Sequence, residues 1–405
     1  MGPFAALRVT HGWPPPKRPP TNCHPERSEG AEAADRFPNV HVYLHVPFCA
    51  RRCSYCDFAI AVRRDVPSAA YADAVLREWA GWQGHEIWTE SPAVDSVYFG
   101  GGTPSRLHPD AVQRILDRIR ADRSVAPAAE VTLEANPDDV TRDAAHAWGA
   151  AGVNRVSLGA QSFDPAVLAW MHRTHSADQI PVAVETLREA GISELSLDLI
   201  FGLPASLGRD WGTDLERVLA LRPQHLSLYG LTVEDHTPLA RWTARGEVAP
   251  VDEDRYAVEF LEADDRLGQA GYEHYEVSNY ALPDRRARHN SAYWRRDAFI
   301  GIGPSAHSGW GANRQWNVRE WAAYERAMAA GDNSVAGSER LGEEAVRLEE
   351  LYLGLRVRDG VPSDRLPPEI VRAWTEAGWA TAPRGVVRLT AEGWLRLDAL
   401  TAAAK

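Results

Sequence analysis

The sequence has few cysteines, a shortage of positive charge and no long apolar run, and each shortage excludes a class of protein. Only four of the 405 residues are cysteine, too few for a secreted fold held together by disulfides. Acidic residues outnumber basic ones by 56 to 44, for a net charge of −12, which argues against a protein that mainly holds nucleic acid by electrostatics. No run of about 18 uncharged apolar residues occurs, so no transmembrane helix is predicted.

The N-terminal segment, residues 1–38, has no helical or strand periodicity and contains eight of the 27 prolines. Proline removes backbone donors and fixes φ, so this extension is predicted to be disordered. It resembles translated intergenic sequence, and we expect the natural start at a later codon, such as Val40 or Val42. Cys23, which lies within the extension, is assigned no role. The start also lacks the apolar core of a signal peptide, which favours a reducing, cytoplasmic location.

Short β-rich runs alternate with helix-like segments from residue 41 to residue 270, a pattern typical of parallel strands joined by right-handed crossovers. The predicted strands are His41–Pro47, Asp95–Gly100, Glu130–Ala135, Arg155–Gly159, Leu195–Ile200 and His225–Tyr229. Polar or glycine-rich residues follow each strand, whereas a doubly wound sheet would gather its site at one switch point. The sequence therefore predicts an α/β fold in which residues 39–280 form a partial (βα)6 barrel.

The βα alternation ends near residue 281, and residues 281–405 are predicted to form a smaller, mainly helical domain. Helices are expected at Glu343–Arg356, Ser363–Trp374 and Thr390–Leu400, with a short hairpin inside Trp379–Leu389. Helices with a small wing resemble a winged-helix module. Such modules often bind DNA, but no dense basic stripe is present and fold does not dictate function. A cap or a partner-docking surface is therefore the expected role.

The motif Cys49-x-x-x-Cys53-x-x-Cys56 places three thiols on one tight loop after the first strand. Soft sulfur ligands are typical of zinc, copper(I) and iron–sulfur centres. A closed zinc site needs a fourth ligand, which His45 could supply, and three unligated thiols are a further alternative. An iron–sulfur cubane with three protein ligands would leave one iron open to a substrate or cofactor. Arg51 and Arg52, which lie in the same loop, are expected to favour the thiolate form of the cysteines over the thiol form.

Several motifs along the chain resemble one known family. They are Tyr43-Leu-His45-Val-Pro47-Phe48 with the cysteine loop, Gly100–Pro104, Leu158–Phe163, Arg173–His175, Asp198–Pro204, Gly271–Asn279 and Gly301–His307. Together they resemble the radical S-adenosylmethionine (SAM) superfamily, its coproporphyrinogen III oxidase-like family and, most closely, the HemW-type haem chaperone branch of that family. The resemblance covers roughly residues 40–400 and implies the radical-SAM partial barrel and a HemN/HemW-type C-terminal domain.

The resemblance implies that Cys49, Cys53 and Cys56 hold a [4Fe–4S] cluster whose open iron chelates the methionine part of SAM. The other residues that it places at the cofactor are Tyr43, Tyr55, Gly101, Gly102, Thr103, Glu134, Gln161, Arg173, Asp198, Thr232 and His307. The glycines would let the backbone approach the methionine amino group, although a simple turn would also explain them. Asp198 interrupts an apolar strand and needs a hydrogen-bond partner, for which a ribose hydroxyl and a backbone amide serve equally.

Two further positions concern haem and porphyrins. His289-Asn290-x-x-Tyr293-Trp294 resembles a haem-associated motif of the chaperone branch. An imidazole can ligate haem iron and aromatic side chains can line a macrocycle, while ordinary packing is the alternative explanation. At Phe58 the true coproporphyrinogen oxidases of the family have a fourth cysteine. A phenyl group offers neither a ligand nor a reactive thiol, which argues against decarboxylase activity.

The predicted function is that of a haem chaperone that binds a [4Fe–4S] cluster, SAM and haem and delivers haem to apo-haemoproteins, expected to be respiratory. One alternative is an oxygen-independent coproporphyrinogen III oxidase that acts through a 5′-deoxyadenosyl radical. Another is a radical SAM enzyme with an unrelated substrate, for which His289 and Trp294 would be structural. The prediction includes no nucleic-acid partner and no transmembrane segment, and it allows peripheral association with a membrane.

Overall fold

The computed structural model describes residues 39–89, 93–249 and 251–404. The predicted N-terminal extension, with Cys23, lies outside the described residues. Val40 and Val42, the candidate start positions, lie within them. The strands are β1 (Val40–Val46), β2 (Phe48–Cys49), β3 (Ala61–Val62), β4 (Val94–Gly101), β5 (Val125–Ala135), β6 (Arg155–Gln161), β7 (Glu194–Phe201), β8 (His225–Gly230), β9 (Glu273–Glu276), β10 (Asn279–Ala281), β11 (Phe299–Ile302), β12 (His307–Trp310), β13 (Asn313–Asn317), β14 (Val335–Arg340), β15 (Val361–Pro362), β16 (Ala380–Thr381) and β17 (Val386–Leu389).

The α-helices that connect and cover these strands are α1 (Ser68–Gly81), α2 (Pro109–Asp122), α3 (Arg142–Ala151), α4 (Pro165–Trp170), α5 (Gln179–Glu189), α6 (Trp211–Ala220), α7 (Pro238–Ala244), α8 (Glu253–Gln269), α9 (Arg288–Trp294), α10 (Trp321–Ala330), α11 (Glu343–Leu355), α12 (Pro368–Glu376), α13 (Ala391–Trp394) and α14 (Leu397–Ala403). Seven of them begin at a side chain that accepts a first-turn N–H, and Thr141, Asp164, Asp210 and Asp252 are among these. Such caps satisfy backbone donors that a helix start leaves without a partner.

The principal sheet runs in the order β14-β13-β12-β11-β1-β4-β5-β6-β7-β8-β10-β9. Its six central strands, β1 and β4 to β8, pair in parallel along the chain order. Five of them lie within two residues of their predicted bounds, while β5 begins five residues earlier, at Val125. The expected α/β fold with a partial six-stranded parallel barrel is confirmed.

Short strands extend the sheet beyond both ends of this parallel core. β11 pairs with β1 in parallel, and β12 to β14 follow in antiparallel order. On the other side, β10 pairs antiparallel with β8, and β9 with β10. The expected boundary at residue 281 therefore does not divide the sheet, because residues 299–340 continue it.

A buried carboxylate on α1 fastens this extension to the barrel. Glu78 accepts hydrogen bonds from the Gly303 N–H at 2.8 Å, the Asn317 amide at 2.6 Å and the hydroxyls of Tyr324 and Ser334 at 2.6 and 3.2 Å. A buried carboxylate is tolerated only where such partners satisfy it. All four donors lie at least 225 residues after Glu78, which explains why the local sequence pattern gave no sign of the extension.

The last part of the described chain is mainly helical, as predicted. The helix expected at Glu343–Arg356 is α11, and the expected hairpin is the antiparallel pair β16 and β17. β15 joins the same small sheet beside β17. The Trp394 indole donates to the carbonyl of Leu355 at 2.9 Å and ties α13 to α11. Within the described ranges, no helix combines the length and apolar character needed to cross a bilayer.

Candidate functional site

A cavity opens at the carboxyl ends of the parallel strands, on the face where the sequence predicts the site. We call it the cysteine cavity. The predicted residues that line it are Cys49, Cys53, Tyr55, Cys56, Gly101, Gly102, Thr103, Glu134, Gln161, Arg173, Asp198 and Thr232. Phe58 lines it as well. Residues that arrive from seven separate segments therefore converge on one volume.

The three cysteines of the loop are free thiols, and two of them contact polar side chains of the barrel. The Thr103 hydroxyl donates to Cys49 Sγ at 3.4 Å, and Arg173 Nη1 donates to Cys53 Sγ at 3.6 Å. Burial raises the pKa of Cys49 to about 11 and that of Cys56 to about 12. Metal coordination deprotonates a thiol outright, so these thiols would become ligands on metal loading rather than by an intrinsically low pKa.

The expected influence of Arg51 and Arg52 on the thiols is wrong. Both side chains are exposed, and Arg52 donates to the carbonyl of Cys56 at 3.3 Å rather than to a sulfur. Arg173, more than a hundred residues further along the chain, is the cation that contacts a thiol. Adjacency in sequence is a poor guide here because the loop turns its arginines towards solvent.

His45 has no ring nitrogen available to serve as the fourth ligand of a zinc site. Its Nε2 lies 3.0 Å from the carbonyl of Ala59 and its Nδ1 lies 3.2 Å from the Tyr43 hydroxyl, so both nitrogens are engaged. Burial lowers the pKa of His45 to about 4. Among the described residues, no three His, Cys, Asp or Glu side chains are grouped tightly enough to hold a single metal ion. Three thiols spread around one cavity suit a larger iron–sulfur cluster better than tetrahedral zinc.

Gly101 and Gly102, two of the glycines that line the cavity, are required by strand packing. Gly101 has φ +112°, and a Cβ on it would lie 2.6 Å from the His45 ring. A Cβ on Gly102 would lie 2.8 Å from the backbone of Pro47. The N–H of Gly101 donates to Glu134 at 2.9 Å, and that of Gly102 donates to β1. The carbonyl oxygens of this turn are therefore the atoms that it can offer to an ammonium group.

Two carboxylates face the cavity from β5 and β7. Glu134 accepts from the Tyr98 hydroxyl at 2.8 Å as well as from Gly101, and burial raises its pKa. Asp198 accepts from the Ser157 hydroxyl at 2.9 Å. The protein partner of Asp198 is thus a hydroxyl on the neighbouring strand rather than a backbone amide. Two acceptors at the rim of one cavity can bind hydroxyl or ammonium donors.

Gln161 and Arg173 meet at the end of β6. Gln161 has φ +66°, a left-handed conformation that a residue with a side chain adopts only under local constraint. The register of β6 against β7 shifts just before it, and this bulge directs Gln161 to the cavity. Arg173 donates to Asn136 at 2.6 Å and to the Gly159 carbonyl at 2.8 Å, while its buried Nε has no partner in the described chain. An unsatisfied buried donor of this kind is suited to a ligand acceptor.

Two predicted cofactor residues lie outside the cysteine cavity. Tyr43 is buried below it, with its ring stacked on Tyr98 at a centroid distance of 6.1 Å. His307 lies on β12 and lines a different cavity. Conversely, Asn136 and Ser157 line the cysteine cavity and were not predicted. Asn136 had a detectable signal, since it belongs to the polar segment that follows the third predicted strand.

His289 of the proposed haem motif is fully buried in the core. Its Nδ1 lies 2.7 Å from the Ser96 hydroxyl and its Nε2 lies 2.9 Å from the Tyr293 hydroxyl. Its ring stacks on Tyr98 at 5.0 Å, and burial lowers its pKa well below the usual value. In this arrangement His289 offers no nitrogen to a haem iron, so the packing explanation describes it.

The aromatic residues of the same motif reach a surface. Tyr293 and Trp294 line a second cavity, about 270 Å³ in volume, beside the sheet extension. The other residues that line it include Phe299, His307, Trp316, Leu341 and Leu353, with Arg296 and Arg314 among the charged ones. The sequence motif is therefore divided, with its histidine in the core and its aromatic residues at this second cavity.

Known proteins are similar to this chain in sequence and in fold. Residues 43–218 match the radical SAM superfamily. The heme chaperone HemW of Mycobacterium tuberculosis (strain ATCC 25618 / H37Rv) is 38% identical over 325 residues, which cover 80% of this chain and 83% of that protein. The chain belongs to the HemW family of radical SAM proteins. Another member, the heme chaperone HemW of Escherichia coli (strain K12), is 36% identical over 67% of this chain and 70% of its own length.

The fold of this HemW-family chain also matches a solved structure. Coproporphyrinogen III oxidase (HemN) from Escherichia coli, a radical SAM enzyme, has a TM-score of 0.74 to it over 91% of each chain at 22% identity. At that identity the likeness shows a common fold. Because the match covers 91% of this chain, the likeness extends beyond the barrel.

Membership of the radical SAM superfamily implies a [4Fe–4S] cluster and SAM for this HemW-family protein, and the residues of the cysteine cavity fit them. The donor set is three thiols with no fourth protein ligand within the described part of the chain, and the neighbouring polar groups include an unsatisfied buried Arg173 Nε. Thiolates are the usual ligands of such clusters. The carboxylates and carbonyls around the cavity supply acceptors for an amino acid ammonium group and for hydroxyls.

Buried histidines should make this HemW-family fold less stable in mild acid. Burial lowers the pKa of His45 and His175 to about 4, whereas an unfolded histidine titrates near ~6.5. Below that pH these histidines become protonated in the unfolded chain but stay neutral in the folded chain. The unfolding free energy should therefore be highest above pH 6.5 and fall towards pH 4, by up to about 3 kcal/mol per histidine.

Urea unfolding at pH 7.5, 6 and 5 measures this loss. His175→Gln should flatten the dependence, while replacement of the exposed His108, whose side chain is 67% accessible, serves as the control. A stability that does not change across this range would contradict the expectation.

Proposed function

We propose that this protein binds haem and delivers it to apo-haemoproteins. The observation that carries the proposal is Phe58, which lines the cysteine cavity at the position where the resemblance places a fourth cysteine in coproporphyrinogen oxidases. A phenyl group there supplies no thiol for porphyrinogen decarboxylation. The name of its relatives, heme chaperone HemW, supports the same function. Respiratory haemoproteins are the recipients that we propose, with the cytoplasm as the compartment and peripheral contact with the membrane.

In the proposed site, Cys49, Cys53 and Cys56 hold the cluster. When bound, the cluster supplies an open iron for the methionine part of SAM. The protein groups around the cluster bind and orient SAM. Carbonyl oxygens at Gly101 and Gly102 accept from its ammonium group. The carboxylates of Glu134 and Asp198 accept from its ammonium and hydroxyl donors. Arg173 donates towards the cysteine loop and holds Asn136 in place.

Further predicted residues complete the proposed site. Tyr55, whose pKa is raised well above its usual value by burial, supplies an apolar wall beside the cysteine loop. Gln161 and Thr232 present polar groups at the ends of β6 and β8. Tyr43 supports Tyr98 from below and acts as a positioning residue rather than a contact.

Anaerobically reconstituted protein tests the proposed function. We expect saturable uptake of hemin, followed by the Soret band, at about one haem per chain, and no vinyl product when the same preparation is given coproporphyrinogen III and SAM. Transfer is then measured by adding an apo-haemoprotein and following the loss of the donor spectrum. Conversion of coproporphyrinogen III would contradict the chaperone and favour the oxidase. Neither uptake nor conversion would favour a radical enzyme with another substrate.

A further inference from the structure

We propose that the rim of the cysteine cavity binds the anionic surface of a lipid bilayer, through six arginines that surround an unburied apolar run. This inference rests on the proposed haem function and gives its contact with the membrane a place on the protein. We call these six residues the arginine rim, and they are Arg51, Arg52, Arg63, Arg64, Arg106 and Arg319.

Hydrogen bonds hold part of the arginine rim against the segment that carries the cysteine loop. Arg52 donates to the carbonyl of Cys56 at 3.3 Å, and Arg319, from the sheet extension, donates to the carbonyl of Asp57 at 3.1 Å. Two cations that are far apart in the sequence are therefore brought to neighbouring backbone groups of one loop.

The other members of the rim lie beside the first cysteine. The backbone N–H of Arg63 donates to the carbonyl of Cys49 at 2.9 Å. Arg106 donates to the carbonyls of Arg63 and Arg64 at 3.3 and 2.9 Å, and Arg51 lines the cysteine cavity. The six arginines thus share one face of the protein, around the mouth of this cavity.

The guanidinium groups of the rim have no carboxylate partners. None of the six forms an ion pair within the described ranges, whereas other exposed arginines, such as Arg114 and Arg142, pair with carboxylates at 2.7 and 2.9 Å. Asp57 and Asp65 are the acidic residues of segment 50–65, so the rim keeps a net positive charge in a chain of net charge −12. The field of such a chain turns the rim towards an anionic surface and its acidic faces away from it.

An apolar run lies between the arginines. The five residues from Phe58 to Val62 are all apolar and none of them is buried. Val62 is 46% exposed and, with Val182 and Val258, is one of three strongly exposed large apolar side chains in the described chain. Consecutive apolar residues at a surface are a defect unless they serve a function.

The combination of cations and an apolar run favours a bilayer over other anionic partners. Guanidinium groups form paired hydrogen bonds with phosphate oxygens, which lipid headgroups and nucleic acids both offer. A bilayer also offers hydrocarbon to the apolar run, and a basic patch acts together with apolar insertion because either signal alone binds weakly. The arginines would hold the surface, and Val62 would enter it.

Contact of this kind would bring the mouth of the cysteine cavity to the membrane. Phe58 and Ile60 belong to the apolar run and also line the cavity. An apolar cargo in the bilayer, or a recipient that lies in it, would then be separated from the cavity by the rim alone. The proposed delivery of haem to respiratory proteins gains a defined orientation of the protein on the membrane.

Co-sedimentation of reconstituted full-length protein with vesicles tests the proposal. We expect saturable binding to vesicles that contain phosphatidylglycerol and phosphatidylcholine in about equal parts, and loss of that binding when the salt is raised from about 0.05 to about 0.5 M. Vesicles of phosphatidylcholine alone should bind little protein. Glutamine at Arg51, Arg52, Arg63 and Arg64 together should weaken the binding about tenfold or more.

The matched control places glutamine at four exposed arginines of the C-terminal part that form no ion pair within the described chain. They are Arg347, Arg372, Arg384 and Arg388. This variant loses the same charge and should keep the wild-type affinity to within about threefold. Iron per chain and the far-ultraviolet circular dichroism of each variant show whether it is folded.

A second pair of variants tests the apolar run. Val62→Asp should weaken vesicle binding about fivefold or more, because it removes apolar contact and adds a negative charge. Val258→Asp makes the same change on α8, where the valine is 64% exposed, and should have little effect.

Equal binding to the two kinds of vesicle would overturn the proposal, as would equal losses in the rim variant and its control. Hemin uptake without any vesicle binding would overturn the bilayer assignment alone and favour an acidic protein as the occupant of the rim. No hemin uptake by wild type in solution would overturn the proposed haem function itself.

Discussion

Serine at Cys49, Cys53 and Cys56 together should abolish iron binding in reconstituted protein, from about four iron atoms per chain to almost none. The three thiols are the only cysteines that line the cysteine cavity in the described chain, and each is reduced. A hydroxyl is a far weaker ligand for iron than a thiolate, and two remaining thiols cannot hold a cubane that needs at least three. Single substitutions should therefore lose most of the iron as well.

Iron and acid-labile sulfide per chain, with the visible absorption of the reconstituted protein, measure this loss. Cys23→Ser is the matched control, because it removes a cysteine that lies outside the motif. It should keep the wild-type iron content. Retention of a full iron complement by the triple variant would refute the cluster assignment, and stoichiometric zinc in the wild-type protein as purified would revive the zinc alternative.

The parts of the fold and site that the sequence predicts are those with a local pattern. Each parallel strand is an apolar run with polar residues after it, and the cysteine motif needs only eight residues to be recognised. The bounds of five of the six parallel strands are therefore predicted to within two residues. The contacts of Arg173 with Cys53 and of Thr103 with Cys49 join segments far apart in the chain, and here the resemblance places the residues without giving their partners.

The features that escaped prediction depend on tertiary packing. β11 to β14 are short strands without a clear alternation, and they form because β1 offers an edge and Glu78 collects donors from them. His289 looks like a ligand when read with its aromatic neighbours, but the helix turns it inwards to Ser96. His307, four residues after Gly303, is grouped with the SAM motifs in sequence although β12 carries it to the second cavity.

Side-chain contacts connect the two cavities through the core. Tyr293, at the second cavity, is hydrogen-bonded to His289, whose ring stacks on Tyr98. The Tyr98 hydroxyl donates to Glu134, which lines the cysteine cavity. Packed and hydrogen-bonded side chains of this kind are a physical route by which occupancy of one site can alter the other.

A buried ion network beneath the site should have the largest effect on stability. Arg209 lies between Glu259, at 2.5 Å, and Asp214, at 3.4 Å, and all three side chains are nearly inaccessible. The carboxylates also hold the loops that follow two strands of the site, since Glu259 accepts from the Gly202 N–H at 2.7 Å and Asp214 from the Phe163 N–H at 2.7 Å. The network therefore supports both the fold and the loop that carries Gln161.

Replacing Arg209 by methionine would leave the buried Asp214 without its cation, while Glu259 would keep only Arg255, at 2.8 Å. Loss of one partner of a buried ion pair costs about 3–5 kcal/mol, a large part of the ~5–15 kcal/mol by which a typical domain is stable. Urea unfolding followed by tryptophan fluorescence measures the change. Arg245→Met is the matched control, since Arg245 pairs with Glu247 where both side chains are about half exposed, and such pairs contribute about 0–1 kcal/mol.

The pH dependence of the Arg209→Met variant identifies the cause of its instability. Burial raises the pKa of Asp214 even beside Arg209, and without the cation that carboxyl should be protonated still more readily. The folded variant then binds protons that the unfolded chain does not. Its loss of unfolding free energy relative to wild type should therefore become smaller as the pH falls from about 8 to about 5.5. A loss of unfolding free energy that is the same at both pH values would point to lost packing around the methionine. A loss below about 1 kcal/mol would show that water or relaxation of the structure satisfies the carboxylates in place of Arg209.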